Sequence, residues 1–501
     1  MERKSKSADI RARLNFPVVD ADGHMFHFSH THLDYVRKIG GPDFAQRYQS
    51  RFSESLVGAP TKGGYWISSN DLSWEQRRDV RMRRGGWWGV PTKNTLDAAT
   101  AVSPQLLYDR LDQLGFDFTI LYGSGSLPLE LDEETRRVTC RAFNAMQADV
   151  YREYADRVTP AAIIPMYSPR EAIQELEYAI KELGLKVIMI PTGVPRPIPA
   201  IHRESPNAFP DACWVDNYGL DSEYDYDPFW AKCVELKVAV TAHGGVVRNL
   251  PWFGRSISSF TYNHVGNHAY LQGMLCKSLF LGGVTRRFPG LNFGFLEGGA
   301  GWACTMFSEL VGAWDRRNVQ ALENTKPANL DRRGYLDLVA RYGGKAAGGK
   351  MDVIERLLDK QNTLVDKASV DEWAALKISA REELRDLFAP SFYFGCEADD
   401  PITAWAFNTR INPFGARLNA IFGSDISHYD VPDMARVVEE AYELVEKGIF
   451  SDRDLKDFLF GNPVKLHAGM NPDFFKGTPV EGEARKLLVG AGAPRVDAGR
   501  R

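Results

Sequence analysis

Long apolar runs, paired cysteines and a strong excess of one charge are all missing from this chain of 501 residues. No eighteen consecutive residues are apolar, and the charged N-terminus MERKSKSADIRAR is followed by no apolar segment, so we expect neither a membrane span nor a secretion signal. Lysine plus arginine number 61 against 65 acidic residues, a formal charge of -4, which gives no global attraction to nucleic acid or anionic lipid. The expected partners are therefore small molecules.

The cysteines are few and widely separated, and none forms a C-x-x-C pair: Cys140, Cys213, Cys233, Cys276, Cys304 and Cys396. This spacing is unlike that of a secreted disulfide framework and predicts reduced thiols in a cytoplasmic protein. A P-loop or Rossmann glycine signature is also missing between any predicted strand and helix, so nucleotide chemistry is not expected. The sequence leaves the number of subunits open, a homo-oligomer included.

Short β-branched or aromatic runs recur along the chain, and most are followed by a helical pattern. The predicted strands lie near Val18–Asp20, Phe118–Tyr122, Pro160–Ile164, Lys186–Ile190, Val238–Ala242, Asn292–Leu296, Phe392–Phe394 and Asn419–Phe422. Eight strands alternating with helices favour an α/β fold of the (β/α)8 TIM-type barrel, with long and mainly helical loop insertions. A doubly wound open sheet is the alternative, because the pattern alone does not show closure.

The predicted domain organisation is one barrel domain with long loop insertions and a short tail at each end. We expect a flexible N-terminal tail over 1–15, the barrel over 16–470 with insertions near 35–105, 192–226 and 312–388, and a C-terminal tail over 471–501. Each insertion follows a predicted strand. In a barrel this places the insertions at the catalytic rim, where they would cover a substrate pocket.

Four of the ten histidines crowd together after the first strand, in VVDADGHMFHFSHTH. Asp22 and His24 are two residues apart, so on an extended chain their side chains point the same way and can bind one cation. The alternative is that Asp22 caps a turn while the histidines, including His27, are solvated loop residues.

Other ionisable residues stand where later predicted strands end: His243, Glu297, Glu397, Asp425 and His428. In a closed parallel barrel these strand ends converge on one mouth, where metal and catalytic groups of such enzymes lie. Asp425 would also serve as an ordinary helix cap, whereas that explanation fits His243 and Glu297 poorly. We therefore expect the side chains of Asp22, His24, His243 and Asp425 to surround one centre.

Several motifs together resemble the metal-dependent amidohydrolase superfamily, in particular its aminocarboxymuconate-semialdehyde-decarboxylase-like branch. The motifs are DGH, TAHGG, RFPGLNFGFLEGGAGW, FGSDISH and DFLFGNPVKLH, and the resemblance runs from about Val18 to about His467. It implies a paired ligand set at Asp22 and His24, a fifth-strand ligand at His243, and an eighth-strand aspartate at Asp425 that binds metal or relays a proton.

Three departures from that resemblance bear on the chemistry. The first strand carries DxH where HxH is commoner, the sixth strand ends in Glu297 where histidine is usual, and no lysine stands where binuclear members have a carbamylated bridge. These departures argue against the mechanism of the dinuclear hydrolytic amidohydrolases.

The motif NHVGNH places His264 and His268 four residues apart, on one face of a helix, where they could bind a metal or a substrate carboxylate. Alternatively, one packs in the interior and the other is solvated. We assign Glu297 and His268 to the metal set, and Asp425, His264 and His428 to catalysis. The predicted substrate contacts are Arg248 and Arg255 as a carboxylate clamp, Trp87 and Trp88 as an apolar lining, and Glu397. Alternatively, the two arginines are charged surface residues, and the two tryptophans pack in the interior of the insertion.

Oxygen and nitrogen ligands of this kind suit one or two divalent ions of zinc, manganese or iron. The leading hypothesis is a metal-dependent hydrolase or nonoxidative decarboxylase or C–C lyase, acting on a cyclic small molecule that bears a carboxylate or carbonyl group. The resemblance also permits a dinuclear non-heme iron oxygenase, since a diiron hydroxylase of platensimycin-type diterpenoid biosynthesis is built on this barrel. An inactive ligand-binding barrel is the least favoured reading, because the candidate ligands are intact.

Overall fold

The computed structural model describes residues 5–49, 73–79, 81, 84, 93–123, 132–209, 212–244, 256–361 and 371–490. Its strands are β1 (Val19–Met25), β2 (Phe118–Gly123), β3 (Val158–Ile163), β4 (Val187–Ile190), β5 (Val194–Pro197), β6 (Cys213–Asp216), β7 (Val240–Ala242), β8 (Phe293–Phe295), β9 (Phe392–Cys396) and β10 (Asn419–Phe422). Eight of them form one parallel sheet in the order β1-β2-β3-β4-β7-β8-β9-β10. The prediction of these eight strands is confirmed.

The sheet closes into a barrel at the seam between β1 and the residues that follow β10. The backbone N–H of Asp425 donates to the carbonyl of Asp22 (2.9 Å), and the N–H of His24 donates to the carbonyl of Ile426 (3.1 Å). These bonds join the first and last strands, so the edges of the sheet are paired. The (β/α)8 prediction is confirmed, and the open doubly wound alternative is excluded.

Buried aromatic side chains fill the interior between the sheet and its helices. Phe293 and Phe295 of β8 and Phe392 and Phe394 of β9 are each at most 1% exposed. Their rings meet mostly edge to face across the strands, with Phe295 and Phe392 centroids 5.3 Å apart. This packed wall supports the strand ends on which the candidate site is built.

The α-helices are Lys6–Arg13, Ser29–Gly40, Pro42–Gln49, Trp74–Asp79, Thr95–Thr100, Pro104–Leu114, Glu133–Tyr151, Pro169–Glu177, Pro199–Glu204, Asp227–Glu235, Phe260–His264, Asn267–Leu281, Val284–Arg287, Gly301–Arg317, Arg332–Tyr342, Gly344–Ala347, Met351–Gln361, Glu383–Phe388, Ala404–Phe407, Val437–Glu446, Asp452–Lys456, Asn462–Ala468 and Glu481–Gly490. Local chemistry sets their ends: Ser168 caps one helix by accepting from the N–H of Glu171, with Pro169 at the first helical position.

Within the described ranges, none of the helices combines the length and apolar character needed to cross a lipid bilayer.

The insertion near 192–226 contains the antiparallel pair β5 and β6, which the buried ion pair of Arg196 and Asp216 (3.1 Å) joins. The insertion near 312–388 is helical in its described part. Much of the insertion near 35–105, including Trp66, Trp87 and Trp88, lies outside the described residues, so its predicted position over the site stays a prediction.

The described parts of the predicted tails over 1–15 and 471–501 contain helices. Residues Lys6–Arg13 form a helix whose Ile10 is 1% exposed. Near the other end, Phe474 and Phe475 are 2% and 1% exposed, and a helix follows over Glu481–Gly490. These apolar side chains pack on the barrel, because burying them removes apolar surface from water.

Candidate metal centre

The first strand delivers Asp22 and His24 to the mouth of the barrel. β1 runs to Met25, further than predicted, because it pairs with β2 as far as Gly123. Asp22 and His24 therefore lie inside the strand, on the same side, and are 3% and 1% exposed. Nδ1 of His24 donates to the carbonyl of Tyr122 (2.9 Å), which leaves Nε2 as the acceptor that faces the site.

The last strand brings Asp425 against His24 across the seam. Oδ1 of Asp425 lies 2.9 Å from Nε2 of His24 and 2.7 Å from Nδ1 of His428. The rings of His24 and His428 stack with their centroids 3.9 Å apart. Asp425 has a φ of 48°, a left-handed conformation that is unfavourable for a non-glycine residue. Seam closure thus holds a strained residue where its carboxylate meets two imidazoles.

The third part of the site comes from β7, β8 and the helix Asn267–Leu281. Nε2 of His243 lies 3.6 Å from Oδ1 of Asp22 and 3.2 Å from Oε2 of Glu297. The same Oε2 is 3.1 Å from Nδ1 of His268, while Oε1 of Glu297 is 3.8 Å from Nδ1 of His428. Glu297 therefore presents one oxygen to each side of the cluster.

A further carboxylate, Asp20, lies fully buried beneath the site and ties three strands together. Its oxygens accept from Thr119 Oγ1 (2.7 Å), from Ser424 Oγ (2.8 Å) and from the backbone N–H of Ser424 (3.0 Å). Burial raises the pKa of Asp20 to about 6, while these hydrogen bonds favour the ionised form. Asp20 is satisfied by protein donors, in contrast to the carboxylates above it.

Burial and mutual repulsion raise the pKa values of the clustered carboxyl groups, whereas burial lowers the pKa values of two clustered histidines. Burial, and then the charges of Glu297 and Asp425, raise the pKa of Asp22 well above its ordinary value. Burial is also the main cause of the raised pKa values of Asp425 and Glu297. Burial lowers the pKa values of His24 and His243 well below the usual value, so both imidazoles are neutral and can act as ligands.

The cluster matches what a divalent cation needs from a protein. Asp22, His24 and His243 form one group whose candidate ligand atoms lie within 4.8 Å of one another, and His24, Asp425 and His428 form a second. Five buried atoms make no well-oriented hydrogen bond to any described group: Asp22 Oδ1, His24 Nε2, His243 Nε2, Glu297 Oε2 and Asp425 Oδ1. Buried polar atoms without partners are costly, and a cation held by either group would satisfy the atoms of that group.

Outside the ligand cluster, His264 belongs to an aromatic group at the mouth. Its ring stacks on Phe260 (5.0 Å), and it lies 5.7 Å from the ring of His268 and 6.2 Å from that of Tyr429. Glu397 follows β9 and is exposed. His264 and Glu397 are therefore beside the cluster and not among its closest contacts.

Of the four histidines that crowd after the first strand, His24 lies in the cluster and the others lie apart from it. His27 packs on His32 (5.6 Å) and Phe143 (5.5 Å), and His30 is exposed. The reason is that β1 continues to Met25, so His27 lies beyond the strand on which Asp22 and His24 point inward. Arg248, Arg255, Trp87 and Trp88, predicted to contact substrate, lie outside the described residues.

Two residues of the site were missed by sequence reasoning because they are not charged. The ring of Tyr122 stacks on His243 with centroids 5.7 Å apart, and its carbonyl orients His24. Gln272 binds the ends of β7 and β8 through its side-chain amide. Gln272 follows His268 by four residues, one helical turn, and this spacing was the signal that could have found it.

Comparison with the IDCase of Metarhizium anisopliae supports the fold, and two further solved structures are also similar to this chain. The IDCase of Metarhizium anisopliae in its apo form is 10% identical, with a TM-score of 0.52, over 90% of this chain and 97% of that one. An amidohydrolase from Mycobacterium avium subsp. paratuberculosis K-10 is 14% identical, with a TM-score of 0.49, over 90% and 98%. A dihydroxybenzoic acid decarboxylase from Polaromonas sp. JS666, with bound manganese and the inhibitor 2-nitroresorcinol, is 16% identical, with a TM-score of 0.43, over 90% and 97%.

A family model assigns the chain more directly. The amidohydrolase model Amidohydro_2 matches residues 30–340, more than half of the sequence. The matched region includes His243, His268 and Glu297, whereas Asp22 precedes it and Asp425 follows it. The chain belongs to the amidohydrolase family.

Proposed function

We propose that this protein is a metal-dependent hydrolase or nonoxidative decarboxylase or C–C lyase. Its substrate would be a cyclic small molecule with a carboxylate or carbonyl group next to the bond that breaks. The observation that carries the proposal is the set of buried, unsatisfied ligand atoms on Asp22, His24, His243 and Asp425 at the mouth of the barrel. Active sites of (β/α)8 enzymes lie at this C-terminal face of the strands.

The charges of the site call for a cation. Among the described residues, the basic side chains within 4 Å of the carboxylates of Asp22, Glu297 and Asp425 are all histidines. His24 and His243, with lowered pKa values, supply no positive charge. Buried carboxylates are normally paired or coordinate metals, so zinc, manganese or iron fits this donor set. When bound, such an ion supplies Lewis acidity toward a substrate oxygen and lowers the pKa of water.

The protein side chains would provide the proton transfers. Asp425 has a raised pKa and lies at hydrogen-bonding distance from two imidazoles, as suits a general base that takes a proton from water. His428, on Asp425, would hold that proton or orient the carboxylate. His264, one ring further out, would donate a proton to the leaving group or to the ring carbon that loses carbon dioxide.

The specificity residues remain predictions. We propose that Arg248 and Arg255 bind a substrate carboxylate, that Trp87 and Trp88 line an apolar pocket, and that Glu397 contacts a polar substituent at the mouth. We also propose a cytoplasmic location, which the six unpaired cysteines support.

Metal analysis of freshly purified protein, followed by removal and reloading of metal, tests the proposal. One zinc or manganese ion per chain, lost in His243→Ala and retained in His202→Ala, is the expected result. His202 is a matched control because it is exposed in a helix outside the cluster. A chain that takes up no zinc, manganese or iron under any loading would contradict the proposal. A panel of aromatic and heterocyclic carboxylates, esters and amides then separates decarboxylation from hydrolysis.

A dinuclear iron oxygenase is the second candidate, favoured by the two-sided contacts of Glu297. Its Oε2 faces His243 and His268 while its Oε1 faces His428. Three ionised carboxylates around one divalent ion would leave net negative charge in a buried site, whereas a second divalent ion would more than offset their charge. Two irons per chain and substrate-dependent oxygen consumption would favour this function. Activity that is unchanged under anaerobic conditions would exclude it.

A further inference from the structure

One side chain ties together the ends of the two strands that carry His243 and Glu297. Gln272 lies on the helix Asn267–Leu281 and is 1% exposed. Its Nε2 donates to the carbonyl of Ala242 (2.9 Å) and to the carbonyl of Leu296 (2.9 Å). These carbonyls belong to the residues directly before His243 and Glu297, so the amide spans the two backbones at the base of the candidate ligands.

The geometry of a primary amide makes this a rigid link. The two N–H bonds of Nε2 diverge in one plane at a fixed angle, so both carbonyls can be bound only at one separation. Oε1 of Gln272 is buried and has no hydrogen-bond partner among the described residues. A flipped amide would direct Oε1 at both carbonyl oxygens, so the hydrogen bonds settle its orientation.

The link acts where the backbone is strained. Glu297 has a φ of 57°, in the left-handed region that few residues other than glycine occupy. Such a conformation persists only when neighbouring contacts enforce it. The bond from Gln272 fixes the carbonyl of Leu296 on one side of Glu297, and the N–H of Gly299, bound to the carbonyl of Gly395 (2.9 Å), fixes the chain on the other.

The same helix also reaches the cluster directly. His268 precedes Gln272 by one turn, and its Nδ1 lies 3.1 Å from Oε2 of Glu297. The helix therefore sets the backbone position of Glu297 through Gln272 and contacts its carboxylate through His268. The side chains of His243 and Glu297, whose backbones the amide links, face each other at 3.2 Å.

We propose that Gln272 is a positioning residue that sets the spacing of His243 and Glu297 and thereby the cation affinity and coordination geometry of the site. The inference rests on the proposed metal-dependent function. Gln272 touches neither ligand side chain in this role, and its effect passes through the two carbonyls. Residues that support metal ligands from behind are worth about ten- to a hundredfold in metal affinity.

Two variants on one helix separate positioning from stability. Gln272→Met keeps the length of the side chain and removes both donors, whereas Leu275→Ala opens a cavity at a position that is 1% exposed. Cobalt(II) is the probe, because its visible spectrum reports the number and geometry of ligands. We expect Gln272→Met to weaken cobalt binding at least tenfold and to change the spectrum. Leu275→Ala should lower the melting temperature and keep the wild-type affinity and spectrum.

A second variant and a second measurement complete the cobalt experiment. If Gln272→Met does not fold, Gln272→Asn, which keeps the amide on a shorter chain, is expected to change affinity and spectrum in the same direction. If wild-type protein binds no cobalt, the proposed function fails, and the positioning role is judged from nitrogen-15 NMR of the histidine rings in metal-free protein. Shifted His243 signals in the Gln272 variant but not in Leu275→Ala support the role. Wild-type affinity, spectrum and imidazole signals in the folded Gln272 variant would overturn it.

Discussion

Replacing Glu297 by glutamine should have opposite effects on the metal-free and metal-loaded protein. Without metal, the carboxylate of Glu297 is repelled by that of Asp22, because no cationic side chain is described between them. Asp22 Oδ1 and Glu297 Oε2 lie 3.6 and 3.2 Å from the same nitrogen of His243, which limits their separation to about 7 Å. At an effective dielectric constant near 20, two full charges at that separation repel by roughly 2 kcal/mol, and this is the largest gain expected, because the raised pKa values of both carboxyl groups let one of them take up a proton.

Glu297→Gln removes that repulsion while keeping the shape of the side chain. For a chain of this length a gain of that size raises the melting temperature by about 2 °C in the presence of a chelator. With metal, the variant loses a ligand oxygen. If affinity falls a hundredfold, the stabilisation at a metal concentration about one hundred times the wild-type Kd drops from about 2.7 to about 0.4 kcal/mol.

Differential scanning calorimetry of both proteins, in EDTA and in excess zinc or manganese, measures the two effects. Glu175→Gln is the matched control, because Glu175 is also buried but is satisfied by Asn144 (2.9 Å) and Arg141 (3.2 Å). Its replacement should destabilise the protein equally with and without metal. The reasoning is refuted if Glu297→Gln lowers the melting temperature in EDTA, since Glu297 would then be stabilised by protein contacts.

Three further predictions use other parts of the molecule. His243→Ala should abolish turnover and weaken metal binding at least about a hundredfold with the fold retained, because a ligand is lost; full metal occupancy with a lower melting temperature would make His243 structural. Gly423→Ala should weaken metal binding with normal circular dichroism, because the added Cβ would lie 3.0 Å from Cβ of Asp22; unchanged affinity would show that β1 can yield there. Burial lowers the pKa of His467 to about 3, so the unfolded chain binds a proton at this residue more readily than the folded protein does. The free energy of unfolding should therefore fall by about 1.4 kcal/mol per pH unit as the pH falls from about 6.5. In EDTA, His467→Phe should reduce this slope of unfolding free energy against pH, and an unchanged slope would assign the acid sensitivity elsewhere.

The barrel and the proximity of the main candidate ligands could be predicted from sequence because both leave local signals. Most barrel strands contain a short apolar run, and Asp22, His24, His243 and Asp425 stand where such runs end in the sequence. Parallel strands in a closed barrel share one mouth, so the position along each strand was enough to bring these residues together. The limit of β1 was harder to predict, since DADGHM is polar and strand-like only through its pairing with β2.

What could not be predicted depends on contacts between distant parts of the chain. Gln272 looks like any helical glutamine until the helix is packed on the ends of β7 and β8. His27, which lies beyond the end of β1, packs on Phe143, a residue more than a hundred positions away in the sequence. The two-sided orientation of Glu297 follows from a backbone angle that no sequence pattern specifies.

Because the candidate site lies at the seam of the barrel, its residues come from regions that are far apart in the sequence. Asp22 and Asp425 are joined by a backbone bond, yet about four hundred residues separate them, and closing so large a loop is costly in chain entropy. A cation held by both would act as a removable cross-link between the two ends of the fold. A chain still emerging from the ribosome carries Asp22 and His24 for most of its synthesis without Asp425, so tight cation uptake should mark the moment at which the barrel closes. Loss of the ion should then accelerate opening of the protein at this seam first.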